Sequence, residues 1–242
     1  MKKINNVAVL GGGAAGFFAA LSVKKHHPQA KVILYEKTTK VLAKVKISGG
    51  GRCNVTNSDS NIDTLCMAYP RGGKQLRNLF HRFNTSDTQE WFRSRGVPLK
   101  SEADGRVFPV SNQSQSIINC LMQEAEQLGV EIKYQAAVNS LTKQSNIWRI
   151  HFLNETQEEE FDSVIIATGG SPKLEGFQWL KDLGHSIITP LPSLFTFNIP
   201  RDSITQLMGV AVEDAKVKIK GYNIETSGAL LITHWGMSGP AI

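Results

Sequence analysis

The apolar positions of this chain fall into three textures, and each predicts a different kind of element. Near the start, Ile4 to Leu10 ("INNVAVL") and Lys31 to Glu36 ("KVILYE") are short apolar runs rich in β-branched residues. Runs of that kind belong to strands covered on both faces, as in a parallel sheet. Between them, "AAGFFAALSVKKHH" reads as a helix that stops near Pro28. Strand, glycine turn, helix and strand together make a βαβ unit, whose crossover is expected to be right-handed.

A second texture follows, in which apolar residues recur at three- and four-residue spacing. "GKQLRNLFHRF", "SDTQEWFRSRG" and "SQSIINCLMQEAEQLG" are predicted helices. In the middle one, Asp87 stands three residues before Glu90 as a capping arrangement, and Gly96 is the stop. "DGRVFPVSN" reads as a hairpin or extended piece. "VEIKYQ", "AVNSLTKQ" and "IWRIHFL" read as successive strands of a meander on one side of the parallel sheet. "FDSVIIATGG" returns to a buried strand that ends in two glycines.

The third texture begins after Pro190, where prolines and short alternating strands replace helical periodicity. The fold class that results is α/β. Residues 1–190 are expected to form one α/β domain around the parallel sheet, and residues 191–242 to begin a second, mainly β domain. In the closing "THWGMSGPAI", Ser238 reads as an N-cap and Pro240 as an early helical residue. A helix announced so close to the last residue reads as a fragment of a longer protein.

The chemistry concentrates in glycine-rich loops. Gly11, Gly13 and Gly16 form a G-x-G-x-x-G pattern between the first strand and the helix, with Ala14 and Ala15 inside the same cradle. Gly11 permits a tight turn, Gly13 lets backbone approach a pyrophosphate, and Gly16 lets the helix sit close, with phosphates at its N-terminus. Glu36 lies twenty residues after Gly16 at the end of the second strand. A carboxylate there accepts hydrogen bonds from both ribose hydroxyls of an adenosine and repels a 2′-phosphate. The cradle is therefore read as holding FAD or NAD rather than NADP, with neighbouring Lys37 among the contacts. The bland alternative is a glycine turn without a ligand.

"KISGGGRCNVTN" is the second candidate. Ser48, Gly49, Gly50 and Gly51 offer backbone N–H groups without bulk, suited to phosphate or a flavin ring. Arg52 is read as a phosphate clasp in preference to a surface ion pair. Asn54, Thr56 and Asn57 supply polar groups for a ribityl chain or ring edge. Cys53 has no partner cysteine two or four residues away, so dithiol chemistry is set aside and the thiol is read as a packing group. Lys44 and Lys46 offer positive charge near a flavin pyrimidine or form a solvated loop. The third candidate is the turn Ala167, Thr168, Gly169 and Gly170, a second approach to a dinucleotide. Val138 completes the predicted contacts. His185 and His234 are lone histidines, with a structural role as the alternative. No side chain is named as a catalytic acid or base, and no metal site is read.

Composition narrows the class only a little. Hydrophobic residues make up 41% and charged residues 20%, ordinary for a soluble globular chain. No apolar run approaches the roughly 20 residues of a membrane span. The lysines before the first apolar run resemble a signal peptide, but that run breaks at once into glycines, so the protein is read as cytoplasmic. Three cysteines in irregular spacing fit reduced thiols. The net charge of +6 raises nucleic acid, yet the 27 basic residues are spread along the chain and an anionic cofactor explains them more simply.

Five ordered stretches carry a family resemblance: "VAVLGGGAAGFFAA", "KVKISGGGRCNVTN", "DGRVFPVSNQS", "VIIATGGSPK" and "GALLITHWGMSGPAI". Together they resemble the bacterial BaiN-like, or aminoacetone oxidase-like, NAD(P)/FAD-dependent oxidoreductases. Ser48 to Asn57 is the most specific match. The resemblance implies an FAD-binding Rossmann-like domain over residues 1–190, without its C-terminal return, interrupted by a β-rich inserted substrate domain that begins over residues 191–242, together with a small-molecule substrate and NADH or NADPH as electron donor. Two departures stand out: Leu42, Ala43 and Lys44 replace a frequent Gly-Arg-Lys, and the segment after Gly170 is short. The rival readings are an NAD-only dehydrogenase and a flavin-binding RNA-modification or regulatory protein.

Overall fold

The computed structural model describes residues 4–153, 158–171, 173–191 and 195–242. It separates into two compact units, Met1–Ile187 and Ile188–Ile242. In chain order the first unit begins β1 (Asn6–Leu10), α1 (Ala14–His26), β2 (Lys31–Tyr35), α2 (Ala43–Ile47) and β3 (Thr56–Asn57). It continues α3 (Ile62–Met67), α4 (Gly73–Phe80), α5 (Thr85–Arg93), β4 (Leu99–Ser101), β5 (Arg106–Pro109) and α6 (Ser114–Gln127). It closes with β6 (Glu131–Lys133), β7 (Val138–Gln144), β8 (Ile147–Phe152), β9 (Glu158–Phe161), β10 (Ser163–Ile166) and α7 (Gln178–Asp182).

Four parallel strands in the order β10-β1-β2-β6 form the central sheet. The continuous apolar runs of β1 and β2 follow from burial on both faces. Val7, Val9, Val32 and Leu34 pack with Phe17, Ile117 and Leu121 on one side. Ala8, Leu10, Ile33 and Tyr35 pack with Leu141, Ile150, Phe152 and Phe161 on the other. Alternate residues of a strand thus serve two separate cores. The α/β architecture with a parallel Rossmann-like core is as the apolar pattern predicts.

Two expectations are corrected here. "VEIKYQ" does not begin the meander: Glu131–Lys133 pairs in parallel with Ile33–Tyr35 and extends the central sheet. An edge strand that exposes Glu131 and ties Lys133 to Glu159 at 2.9 Å reads as alternating, which is why it passes for a meander strand. The meander is β7-β8-β9. The cap of α5 also lies three residues earlier than Asp87. Asn84 Oδ1 accepts from the backbone N–H groups of Ser86 and Asp87, and the Asp87 carboxylate accepts from Asn84 N at 2.8 Å. Asp87 closes that box from the third helical position rather than opening one.

The second unit holds β11 (Phe197–Asn198), β12 (Ala211–Lys218), β13 (Glu225–Thr233) and β14 (Gly236–Ser238), antiparallel in the order β11-β14-β13-β12. At its end Ser238 closes β14 by pairing with Leu231, Ala241 N donates to Ala229 O, Thr226 Oγ1 donates to Ala241 O, and Ile242 N donates to Gly239 O in a turn that follows the strand. Among the described residues, no helix is long and apolar enough to cross a membrane.

Two stability outcomes follow from these contacts. Replacing Asn84 with Ala removes a cap and is expected to lower unfolding free energy by about 1 kcal/mol, read by urea denaturation; an unchanged midpoint would contradict the capping box. Burial pushes the Cys120 thiol up to about 11, with Glu124 adding to the rise and Arg95 opposing it. The folded state therefore holds a proton that the unfolded chain releases nearer the ordinary value of 9.0. That contribution is complete below pH 9 and is lost as pH rises towards 11. Wild-type stability should fall across that window more steeply than that of a Cys120→Ala variant, and parallel curves would refute the assignment.

Candidate functional site

The carboxyl ends of β1, β2 and β10 meet at one cleft. β1 runs into Gly11, whose N–H donates to Tyr35 O at 2.8 Å and whose φ of +112° excludes most side chains. The chain then turns into α1 with almost no clearance. A Cβ on Gly16 would collide with the Gly11 carbonyl oxygen, so only glycine lets the helix start this close to the strand end. Gly13 differs, because a Cβ there would meet no atom within 4 Å. The space above Gly13 is open cleft.

Gly13 caps α1 without a side-chain hydrogen bond, and the first turn carries no acidic residue. Phe17 N donates to Gly13 O at 3.0 Å, so helical bonding begins there and the preceding N–H groups of Ala14, Ala15 and Gly16 have no partner within the helix. Unpaired donors plus the positive end of a helix dipole make an anion cradle.

Glu36 stands at the end of β2, half-buried, with its carboxylate held from two sides. Oε2 accepts from Gly12 N at 2.9 Å, and Oε1 accepts from Thr38 N at 2.8 Å and from Thr38 Oγ1 at 2.9 Å. Those three donors fix the carboxylate against the glycine loop. Gly12 was missed as a site position, although it is the central glycine of an unbroken triplet. A Cβ there would press on Val41 and on the Glu36 carboxylate itself. Thr38 was missed too, and its only signal is its place two residues after Glu36.

The cleft encloses about 600 Å³. It brings together Gly11, Gly13, Ala14, Ala15, Glu36, Lys37, Lys44, Ser48, Cys53, Asn54, Ala167, Thr168, Gly169 and Gly170 from well-separated parts of the chain. Phe18, Val45, Val55, Phe92, Ile117 and Leu121 give it an apolar lining that no local motif announces. Lys44 Nζ lies 3.8 Å from where a side chain on Gly169 would begin. A smaller chamber of about 320 Å³ shares Gly11, Glu36, Lys37 and residues 168–170, and adds Val138, Phe177 and Trp179.

Other predicted contacts lie elsewhere. Ser48–Gly51 forms a tight helical turn in which Gly49, Gly50 and Gly51 all take positive φ. None of the three lines the cleft; the tight turn they make carries Ser48, Cys53 and Asn54 to its wall. Arg52 is a correction. Its guanidinium pairs with Glu102 at 2.6 Å and lies 3.9 Å from the Phe108 ring centroid, so the ion pair replaces the phosphate clasp. Thr56 and Asn57 pair β3 with β5 through their backbone and line a separate cavity. Lys46 donates to Gln115 Oε1 at 2.9 Å. His185 and His234 are both exposed, and the His234 ring rests 4.5 Å from that of Trp235.

Cys53 sits in the cleft wall with φ of +62°. Burial pushes its thiol up, and a hydrogen bond with the Ser48 hydroxyl works against the rise. A thiol held protonated in this way is a poor nucleophile at neutral pH. All three cysteines are free.

The residues present fit a dinucleotide of the FAD kind: an open glycine at a helix start, donors without a partner in the helix, a fixed carboxylate at the motif's sequence spacing from the glycines, and a partly apolar cleft. The family described as the HI0933-like protein Rossmann domain matches residues 5–238. A relative in Clostridium scindens, the 3-dehydro-bile acid delta(4,6)-reductase, is 27% identical over 98% of this chain and 58% of its own length. A ribosomal RNA dihydrouridine synthase of Haemophilus influenzae is 25% identical over 100% of this chain and 61% of its own. The chain thus spans about three fifths of the length of these curated relatives. Among solved structures, 3-ketosteroid-delta4-(5alpha)-dehydrogenase from Rhodococcus jostii RHA1 superposes with a TM-score of 0.50 at 16% identity, over 70% of this chain and 47% of that one. That likeness establishes a shared fold.

The two glycines of the cradle should separate stability from binding. Gly13→Ala has room for its methyl group and should lose about 1 kcal/mol of stability or less, while the methyl blocks an approaching phosphate. Gly16→Ala should unfold at markedly lower denaturant whether or not a nucleotide is added. Equal stability losses in the two variants would contradict the geometry.

Proposed function

The chain belongs to the family of HI0933-like Rossmann-domain proteins, and from that premise we propose that it is the cofactor-holding part of an FAD-dependent oxidoreductase. The observation that carries this reading is the uncapped start of α1 opening on the same cleft as the fixed Glu36 carboxylate. The N–H groups of residues 14–16 would hold the diphosphate, and Glu36 the adenosine ribose. Ser48, Asn54, Lys44 and the turn at 168–170 would line the flavin half.

When bound, the flavin supplies two-electron chemistry at N5, between a reduced nicotinamide or organic donor and an acceptor. The chain's own residues bind, orient and shield. The apolar lining of Phe18, Val45, Phe92 and Leu121 would help exclude water from a flavin bound there. Lys44 would offer a positive charge to stabilise reduced, anionic flavin. Glu36 disfavours a 2′-phosphate at this cradle, so NADPH, if it is the donor, would dock elsewhere. Residues 188–242 would begin the substrate-side domain, and a small organic molecule is the substrate class we favour. We place the protein in the cytoplasm, in keeping with its free thiols.

One observation favours a second reading. Two relatives carry the name ribosomal RNA dihydrouridine synthase, and the net charge here is +6. An RNA substrate would give tight RNA binding and heparin retention that collapses with modest salt.

The test is a visible spectrum of the protein after incubation with FAD and desalting, followed by anaerobic addition of NADH or NADPH. Flavin absorbance is expected to travel with the protein and to bleach with one of the two nucleotides. Absorbance that does not co-elute would sink the flavin reading, and NAD affinity without flavin would replace it with an NAD-only dehydrogenase. A flavin band that neither nucleotide bleaches would move the donor to an organic substrate.

A further inference from the structure

Between Asp63 and Asp87 the chain carries no acidic residue, while Arg71, Lys74, Arg77 and Arg82 all lie there, in α4 and its flanks. All four are exposed. Arg77 pairs with Asp63, but Arg71, Lys74 and Arg82 have no ion-pair partner among the described residues. α4 is set tightly against α3, because a Cβ on Gly73 would collide with the Cys66 carbonyl oxygen. The same segment walls the cavity of about 600 Å³ that Thr56 and Asn57 line. Its aromatic side is Tyr69, Phe80 and Phe83. The Tyr69 and Phe80 rings lie 5.8 Å apart, and Tyr69 and Phe83 are 47% and 45% exposed, so ring surface is open to a visitor. Thr64 and Asn84 supply polar groups: the Thr64 hydroxyl and Asn84 Nδ2 have no hydrogen-bond partner among the described residues. Val55 and Thr88 line both this cavity and the cofactor cleft, so the two are neighbours.

Unpaired cations on a surface attract a phosphate backbone, and open aromatic rings stack bases. A duplex keeps its base faces covered, so a ring-walled cavity serves a strand whose bases are unstacked. We propose that α3, α4 and the start of α5 form a docking face for single-stranded RNA. Arg71, Lys74 and Arg82 meet its phosphates, and one unstacked base is gripped in the aromatic cavity. That base is an anchor and not the reacting group, because its cavity is distinct from the cleft that a flavin would fill. The inference rests on the RNA reading above, to which it gives a surface, and it does not require flavin.

The experiment measures fluorescence anisotropy of a labelled, unstructured RNA strand of mixed sequence, titrated with the 242-residue chain over a range of salt. A combined Arg71→Gln, Lys74→Gln, Arg82→Gln variant should bind more weakly and lower the slope of log affinity against log salt by about 2. Tyr69→Leu should weaken binding about fivefold or more at an unchanged slope, and Tyr69→Phe should restore it, because a ring again meets the base. The strand annealed to its complement should bind less tightly and be indifferent to Tyr69→Leu. The RNA strand should bind more tightly than a DNA strand of the same sequence; equal or reversed order would overturn RNA as the partner. None of the four residues lines the cofactor cleft, so every variant should take up FAD as the wild type does. RNA binding that keeps the wild-type slope in the combined variant would overturn this surface and leave the RNA reading intact. Wild-type affinity in Tyr69→Leu would overturn the base cavity. No RNA binding by the wild type would overturn both, whatever its flavin content. The salt slope carries the test if Tyr69→Leu fails to fold.

Discussion

Everything at the site depends on how closely the start of α1 approaches the end of β1. The Gly11 carbonyl lies where a Cβ on Gly16 would have to be, and the Ala167 backbone leaves no room for a Cβ on Gly11. Two close approaches at one point bring the ends of β1 and β10 and the first turn of α1 together. The helix dipole and its unpaired N–H groups then face the carboxyl ends of the strands, where open α/β sheets hold ligands. Gly12 adds the third link by donating to Glu36, so the end of β2 is bound to the same loop.

The sheet beneath makes this arrangement rigid. β1 and β2 give alternate side chains to two cores, and each core is closed by a different layer, α1 and α6 on one side and the β7-β8-β9 meander on the other. Neither strand can shift by one residue without exchanging both cores, so register is strongly specified. The loop around Ser48–Gly51 works differently. Its glycines adopt left-handed backbone to make a tight turn, and Arg52 anchors that turn outward through Glu102 and Phe108. What reaches the cleft from it is Ser48, Cys53 and Asn54.

Local spacing made part of this legible in the sequence and left the rest hidden. The βαβ unit could be read because its apolar runs and its glycines lie within one short stretch, and the structure has β1, α1 and β2 there. Gly11, Gly13, Gly16 and Glu36 were visible for the same reason. Arg52 was misread because its partner Glu102 is fifty residues away, and a lone arginine beside glycines looks like an anion ligand. β6 was misread because an exposed edge strand has the alternation of a meander. Phe18, Leu121 and Trp179 carry no motif, and only the assembled sheet places them around one cleft.

The central claim is that the backbone donors at the start of α1 hold the diphosphate of a bound dinucleotide. Amide hydrogen exchange of the chain with and without FAD measures this at the groups concerned. The account predicts slowed exchange at residues 12–17 and 167–170, with α4, which lines no part of the cleft, unchanged. Unchanged exchange at residues 14–16 in a protein that has demonstrably bound FAD would contradict it.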